Sequence, residues 1–173
     1  GRAGRDARAG AREPEGGASV EGRAARVLAE GVGRGELTAQ WRAAGTAARA
    51  RILTRESAVL CGIPWADAGF ARLDPAVAIR WLAAEGDAIR ADQTLCELEG
   101  DARALLTGER SALNFLQTLS GTATAARRYR DLAAGTGVTV LDTRKTIPGL
   151  RLAQKYAVRV GGCSNHRIGL HDA

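Results

Sequence analysis

The stretch from Thr107 to Ala134 constrains the fold most, because it predicts one long helix. Its apolar residues recur at the spacing that places them on one helix face: Ala112, Leu113, Phe115, Leu116, Leu119 and Ala123. Thr107 is expected to cap the start of this helix, and Glu109 falls in the first turn, where a carboxylate favours the helix dipole. The Gly135-Thr136-Gly137 sequence is expected to end the helix.

A strand and a second helix are predicted after the long helix. Residues 138–143 (VTVLDT) are rich in apolar and β-branched side chains, which is typical of a short strand. Residues 150–160 (LRLAQKYAVRV) predict a helix that Gly161-Gly162 would end. The order helix, strand, loop, helix, loop is the beginning of a βαβα pattern.

The region before the long helix predicts short strands and turns. Apolar runs bounded by turn residues indicate strands at residues 48–54, 58–63 and 76–83. Residues 66–74 predict a helical turn that stops at Pro75. Residues 85–100 predict a strand, a turn at Ala91-Asp92 and a second strand. These features favour an α+β module with hairpins.

Nearer the N-terminus, Val27 and Leu28 are expected to open a short helix, ended by the glycine-rich residues 31–38. Residues 1–19 consist almost wholly of Gly, Ala, Arg and acidic residues, so we expect a disordered tail there.

Length and cysteine usage narrow the class of protein. A chain of 173 residues with 45% hydrophobic content can bury a core without disulfides. No run approaches the roughly 18 apolar residues of a membrane span, and no segment resembles a signal peptide, which disfavours membrane and secreted proteins. The three cysteines Cys61, Cys96 and Cys163 are far apart and are never spaced C-x-x-C. We therefore expect buried thiols, no zinc site and a cytoplasmic location.

Positive charge is concentrated near the C-terminus. Residues 138–173 carry six Lys and Arg residues against Asp142 and Asp172, so this stretch supplies +4 of the formal net charge of +6. It also contains both lysines of the chain, Lys145 and Lys155. Such a segment indicates an anionic partner, which would be a nucleic acid or a small carboxylate or phosphate ligand.

Two other functional classes find little support. A nucleic-acid binder would interleave aromatic residues with its cations, but only 4% of the residues are aromatic. Residues 85–100 have the rhythm of a biotinyl or lipoyl carrier hairpin, but such a module needs a lysine at the hairpin tip. No lysine precedes Lys145.

Candidate binding residues follow the predicted strand and the last predicted helix. Thr143 is the last residue of the predicted strand, and Arg144 and Lys145 follow it directly. Ligands in α/β folds bind at the carboxyl ends of strands. An arginine can clamp a carboxylate with two hydrogen bonds, and a lysine adds a compact charge. His166 and Arg167 follow the Gly161-Gly162 turn. From spacing alone, a solvated cation pair and a structural histidine remain alternatives.

Arg110 is a further candidate, placed by the prediction at the start of the long helix. A cation there opposes the helix dipole, which an anionic ligand would compensate. The alternative is an exposed arginine without a binding role.

From about Val20 onward the sequence resembles quinolinate phosphoribosyltransferases. The resemblance is carried by residues 109–117 (ERSALNFLQ), by LDTRKTIPGLR from Leu141, and by KYAVRVGGCSNHRIGL from Lys155. It implies an α/β protein with an α+β sandwich domain at residues 20–111 and the beginning of an incomplete α/β barrel at residues 112–173. The implied reaction joins quinolinate to phosphoribosyl pyrophosphate, which gives nicotinate mononucleotide, pyrophosphate and CO₂.

The resemblance also implies roles for individual residues. Arg144, Lys145, His166 and Arg167 would bind quinolinate and phosphate, Thr143 would contact the substrate, and Lys145 would be catalytic. Arg110 would reach the site of the neighbouring subunit in a homodimer. Mg²⁺ would accompany phosphoribosyl pyrophosphate, with no metal ligand in this chain, because the acidic residues that face it would follow Ala173.

Two expectations complete this interpretation. The chain is expected to be the N-terminal portion of the enzyme and to be inactive and poorly stable alone. Molybdenum-associated homologues of the same family share the RKT-P-G and HR elements, so a different substrate remains the alternative.

Overall fold

The computed structural model describes residues 20–32, 43 and 45–170, and this part of the chain contains both helices and strands. The elements in chain order are α1 (Val20–Val32), β1 (Ala47–Leu53), β2 (Ala58–Val59), α2 (Ile63–Leu73), β3 (Ala78–Trp81), β4 (Ala88–Ile89), β5 (Thr94–Asp101), α3 (Ala102–Leu132) and α4 (Arg151–Val160). This mixture confirms the predicted fold class, and the described residues form no closed barrel. The predicted tail at residues 1–19 and most of the glycine-rich segment lie outside the described residues.

Five strands form two small antiparallel sheets within the described residues. One sheet has the order β1-β5-β3, and the other pairs β2 with β4. Along β5 the side chains alternate, so that Cys96 and Leu98 are buried while Glu97 and Glu99 are exposed. Arg49 pairs with Glu99 across the exposed face at 3.2 Å. Exposed pairs of this kind add little stability.

The strand, turn and second strand predicted at residues 85–100 are all present, but the two strands do not pair with each other as a hairpin. The amide of Gln93 donates to Arg90 O at 3.2 Å, which closes the turn. The strands that flank it then join different sheets, because β4 pairs with β2 and β5 pairs with β1 and β3. The turn residues carry no information about β1, which pairs with β5 along seven residues. The carrier-type hairpin is therefore absent.

The predicted strand at residues 58–63 is short, because a helix begins inside it. Only Ala58–Val59 pair as a strand, and α2 starts at Ile63 with a proline in its first turn, a position that proline favours. The amides of Gly62 and Ile63 donate to the Glu85 carboxylate at 2.8 and 3.0 Å. A distant carboxylate thus caps α2 and faces the positive end of its dipole.

The first and the long helix both begin earlier than predicted. Helix α1 starts at Val20 rather than at Val27, and α3 starts at Ala102. Asp101 caps α3 in place of Thr107, and its carboxylate accepts from the amides two and three residues later at 2.9 and 3.3 Å. Glu109 consequently lies beyond the first turn, and the dipole argument does not apply to it.

Helix α3 runs through two hydrophobic clusters. The helical cluster joins α1, α2, α3 and α4 and contains Val20, Val59, Cys61, Trp65, Phe115, Leu119, Ala123, Ala153, Tyr156 and Ala157. The sheet cluster lies between the sheets and α2 and α3 and contains Leu60, Ala66, Phe70, Ile89, Leu95, Cys96, Leu98, Leu105, Ala112 and Leu116. One helix therefore connects the N-terminal sheets with α4.

The prediction that the cysteines are buried is confirmed for Cys61 and Cys96 and is wrong for Cys163. Burial raises the pKa of Cys96 to about 11 and also raises the pKa of Cys61, so both thiols stay protonated and unreactive at neutral pH. Cys163 is partly exposed and donates from Sγ to Ala126 O at 3.1 Å. In the described part of the chain, no helix combines the length and apolar character needed to cross a bilayer.

Helix α4 approaches α3 closely because a glycine follows its last turn. A Cβ built on Gly161 would lie 2.5 Å from both Ala123 O and Ala126 Cβ. Arg127 reaches back from α3, and its Nε donates to Gly161 O at 3.0 Å. The absent side chain and this hydrogen bond set the position of α4, and α4 in turn positions the loops on either side of it.

We predict that Gly161→Ala destabilises the protein by about 1–3 kcal/mol, because the contacting atoms of α3 cannot move aside without shifting its backbone. Gly121→Ala is the matched control, since a Cβ there meets nothing within 4 Å. Alanine is the better helix former, so we expect the control to gain about 0.5–1 kcal/mol. Urea unfolding followed by circular dichroism measures both changes. A Gly161→Ala variant as stable as the wild type would contradict the close approach of α4 to α3.

Candidate functional site

Two loops that flank α4 lie side by side and carry most of the predicted site residues. We call residues 142–149 the DTRKT loop and residues 163–170 the HR loop. A parallel bridge between Leu141 and Ser164 joins their starts. The amide of Asp142 donates to Ser164 O at 3.1 Å, and the amide of Ser164 donates to Val140 O at 3.0 Å. The bridge brings Thr143, Arg144 and Lys145 to the same side as His166 and Arg167.

The predicted strand at residues 138–143 is therefore reduced to a single bridge. β-Branched side chains favour extended backbone, but a strand also needs a partner along its length. Within the described residues this segment pairs at Leu141 alone, which bridges to Ser164.

A buried ion pair lies beneath the two loops. Lys155 on α4 donates from Nζ to Asp142 Oδ1 at 2.5 Å and to His166 O at 2.7 Å. The side chains of Lys155 and Asp142 are only 3% and 7% exposed. A buried lysine needs both a counterion and hydrogen bonds, and here it takes one partner from each loop.

The Asp142 carboxylate is fully engaged by its neighbours. Its Oδ1 also accepts from the amide of His166 at 2.7 Å. The Asn165 side chain, oriented with its nitrogen toward this carboxylate, donates to Asp142 Oδ2 and to Lys155 O, both at 2.9 Å. Asp142 is thus committed to internal contacts and does not face a ligand.

The first turn of α4 braces the DTRKT loop from below. Arg151 donates to Arg144 O at 3.4 Å, to Thr146 Oγ1 at 3.3 Å and to Ile168 O in the HR loop at 3.2 Å. Gln154 Oε1 accepts from the amide of Ile147 at 2.8 Å. Two cations one helical turn apart, at positions 151 and 155, therefore each contact both loops.

Helix α1 and the loop itself add further contacts. The buried Arg23 donates from Nε to Gly149 O at 3.4 Å, and burial lowers the pKa of its guanidinium. Within the loop, the amide of Lys145 donates to Thr143 Oγ1 at 3.0 Å, which fixes a tight local turn.

The surface that results is cationic. Lys145 and His166 are exposed, while Arg144 and Arg167 are partly buried. Residues 143–149 and 163–170 contain these basic residues and no carboxylate. Because Asp142 neutralises Lys155 internally, the positive charge of Arg144, Lys145 and Arg167 is left to attract an anion.

The structure places Arg110 apart from the two loops. It is exposed on α3, nine residues into the helix rather than at its start, so its predicted position relative to the dipole is wrong. Thr122 lies 12 residues further along α3 and lines the same groove as Asp142. Twelve residues of helix span about 18 Å. Within one chain, Arg110 therefore does not join the cationic surface.

No group of three metal-ligating side chains occurs among the described residues. The carboxylate nearest the cations, that of Asp142, is already saturated with hydrogen bonds. The described residues therefore do not fit a Mg²⁺ ion held by the protein.

The sequence interpretation missed Asp142, Asn165, Arg151 and Lys155 as parts of the site. A usable signal was present, because Lys155 is one of only two lysines in an arginine-rich chain. It also follows Arg151 by four residues, a spacing that places both side chains on one face of a helix.

Comparisons with known proteins agree with this arrangement. Residues 36–120 match the family model "Quinolinate phosphoribosyl transferase, N-terminal domain", and residues 122–173 match the corresponding C-terminal domain. The chain belongs to the quinolinate phosphoribosyltransferase family. The boundary between the two matched regions falls inside the continuous helix α3. The domain limits predicted from the sequence, residues 20–111 and 112–173, stay a prediction.

Relatives within the quinolinate phosphoribosyltransferase family are similar in sequence and structure. The chain is 44% identical over 146 residues to a probable nicotinate-nucleotide pyrophosphorylase (carboxylating) of Synechocystis sp., covering 84% of this chain and 50% of that protein. It is 40% identical to the Bacillus subtilis counterpart, with 83% and 50% covered. The nicotinate-nucleotide pyrophosphorylase structure from Francisella tularensis superposes with a TM-score of 0.85 at 45% identity, covering 89% of this chain and 55% of that one. The chain thus spans about half the length of these curated relatives.

We predict that Asp142→Ala destabilises the protein by about 3–5 kcal/mol, because it leaves the Lys155 charge buried without a counterion. Glu97→Ala is the control, since it removes the acidic partner of Arg80 from a pair that is more than half exposed. We expect the control to change the free energy of unfolding by less than about 1 kcal/mol. Thermal and urea unfolding of both variants tests this difference. Similar losses in the two variants would show that burial of the Lys155–Asp142 pair has no energetic consequence.

Proposed function

We propose that the protein containing this chain is a quinolinate phosphoribosyltransferase. It joins quinolinate to phosphoribosyl pyrophosphate and releases nicotinate mononucleotide, pyrophosphate and CO₂. The observation that carries the proposal is the cationic surface formed by the DTRKT and HR loops. Among the described residues of these loops the one carboxylate is that of Asp142, and the ammonium of Lys155 neutralises it. Membership of the family makes quinolinate the first substrate to test.

The charges of the site suit those of the substrates. Quinolinate is a dianion, and phosphoribosyl pyrophosphate carries several further negative charges. At an effective dielectric constant of about 20, two opposite unit charges about 4 Å apart attract each other by roughly 4 kcal/mol. Arg144 and Arg167 can each clamp a carboxylate or phosphate with two hydrogen bonds. Thr143 and His166 add a hydroxyl and an imidazole beside them.

The chemistry requires positioning and charge stabilisation more than a nucleophilic side chain. Loss of pyrophosphate leaves an oxocarbenium-like ribosyl carbon, which the pyridine nitrogen attacks in line. Lys145, the exposed ammonium of the DTRKT loop, is the residue to which we assign charge stabilisation at the reacting groups. The new bond places positive charge on the ring nitrogen, which stabilises the electron pair left on C2 as the 2-carboxylate leaves as CO₂, and C2 then takes up a proton from solvent.

Three further features belong to this proposal. Mg²⁺ enters with phosphoribosyl pyrophosphate, whose oxygens suit this hard cation. The protein acts in the cytoplasm as a homodimer. Arg110 contributes to the site of the neighbouring subunit, which accords with its distance from the loops of its own chain.

We predict that Arg144→Ala and Lys145→Ala in the full-length protein each lower kcat/KM for quinolinate by about 10- to 100-fold. This range corresponds to the roughly 1.5–3 kcal/mol of a hydrogen bond to a charged group. Arg128→Ala is the matched control, because Arg128 is an exposed cation on α3 that belongs to neither loop. Steady-state kinetics with quinolinate as the varied substrate measures the effect. Unchanged kcat/KM in both loop variants would overturn the assignment of the site.

A binding measurement on the same full-length protein distinguishes the quinolinate enzyme from a molybdenum-associated homologue. If calorimetric titration of the wild-type protein with quinolinate shows no binding at saturating concentrations, the substrate is a different anion. Substrate binding together with impaired loop variants supports the quinolinate enzyme.

We further predict that mixing Arg110→Ala and Lys145→Ala subunits raises the activity well above that of either variant alone. If the two residues serve one site from different subunits, each mixed dimer regains one intact site. Random exchange then gives about one quarter of the wild-type activity. Partial unfolding and refolding of the mixture, followed by the activity assay, makes the test. No recovery in a mixture with proven subunit exchange would place Arg110 in the site of its own chain or in none.

A further inference from the structure

We propose that Lys155 is a positioning residue that holds the DTRKT and HR loops at one fixed separation, so that their cations meet the same ligand. The inference rests on the proposed function for its kinetic consequence. Its structural consequence can be measured without that function. Lys155 itself touches no ligand in this proposal, since its ammonium lies below the loops with only 3% of its side chain exposed.

The argument begins with the partners of the ammonium. Asp142, which accepts from Nζ at 2.5 Å, is the first residue of the DTRKT loop. The carbonyl that accepts at 2.7 Å belongs to His166, the central residue of the HR loop. The Lys155 Nζ atom thus forms a hydrogen bond with each of the two loops that make up the cationic surface.

The second step is that the two partners also bond to each other. The amide of His166 donates to Asp142 Oδ1 at 2.7 Å, so Lys155, Asp142 and His166 form a closed triangle of hydrogen bonds. Asn165 adds a contact on the other carboxylate oxygen. A closed network of this kind has one satisfied geometry, and a shift of either loop breaks at least one of its bonds.

The third step is that the helix supporting Lys155 is itself fixed. Ala153, Tyr156 and Ala157 bury the other side of α4 in the helical cluster. Tyr156 packs edge-on against Trp65 with ring centroids 5.2 Å apart. The packing of α4 in the core therefore fixes the position of the ammonium, and the ammonium in turn fixes the positions of the two loops bonded to it.

The decisive variants are Lys155→Met and the double variant Lys155→Met/Asp142→Asn, made in the full-length protein. The single variant keeps an unbranched side chain but leaves Asp142 charged and unpaired. The double variant removes both charges at nearly constant shape, so we expect it to recover most of the stability. Ala153→Gly is the matched control, since it loosens the same helix without removing a bond to either loop.

We expect Lys155→Met to raise the KM for quinolinate at least tenfold, and the double variant to keep at least a fivefold increase although its Tm returns toward that of the wild type. Ala153→Gly is expected to lower Tm and leave KM within twofold. If KM returns to the wild-type value together with Tm in the double variant, Lys155 only balances charge and the proposal is overturned.

Hydrogen exchange separates this proposal from the proposed function. We expect the amides of His166 and Ser164 to exchange at least tenfold faster in Lys155→Met than in Ala153→Gly. A wild-type protein without activity on quinolinate would refute the proposed function, and the exchange rates would still decide the role of Lys155. Equal exchange in the two variants would refute the positioning role whatever the activity.

Discussion

The packing of α3 into two hydrophobic clusters is the constraint on which the rest of the structure depends. Phe115 belongs to the helical cluster and the adjacent Leu116 to the sheet cluster, so one helix has two buried faces. A helix that is apolar on one narrow stripe could serve only one of these layers. Because α3 serves both, the position of the sheets relative to α4 is set within a single rigid element.

This constraint reaches the cationic surface through two small contacts. Gly161 lets α4 lie directly on the backbone of α3, and Arg127 fastens the end of α4 with a hydrogen bond. Arg151 and Lys155 then hold the loops that precede and follow α4. The two loops contain no helix or extended strand, yet hydrogen bonds hold their backbone to the core at several points. Such bonds give a loop the fixed geometry that a binding site needs.

The sequence predicted the elements with strong local signals and failed where the partner was distant. Helix α4 and the glycines that end it were predicted correctly, since helical spacing and a glycine stop are both local. The prediction of a hairpin at residues 85–100 failed because β5 pairs with β1, which lies some forty residues earlier in the chain. For the site, the cations stood out in the sequence as charges. Asp142 and Asn165 did not, because their importance arises only from burial against Lys155.

The buried ion pair also changes how the charge of this segment is interpreted. A count along the sequence treats Lys155 and Asp142 as surface charges, but together they are neutral and hidden. Burying such a pair gives little net stability, because the desolvation of two ions offsets their attraction, and an apolar pair of the same shape would often be equally stable. What an apolar pair cannot supply is the simultaneous bond to His166 O and the acceptor for the His166 amide. The contribution of Lys155 and Asp142 is therefore geometric, because they fix the positions of the cations in the two loops. Those cations in turn set the positive charge at the surface where a ligand binds.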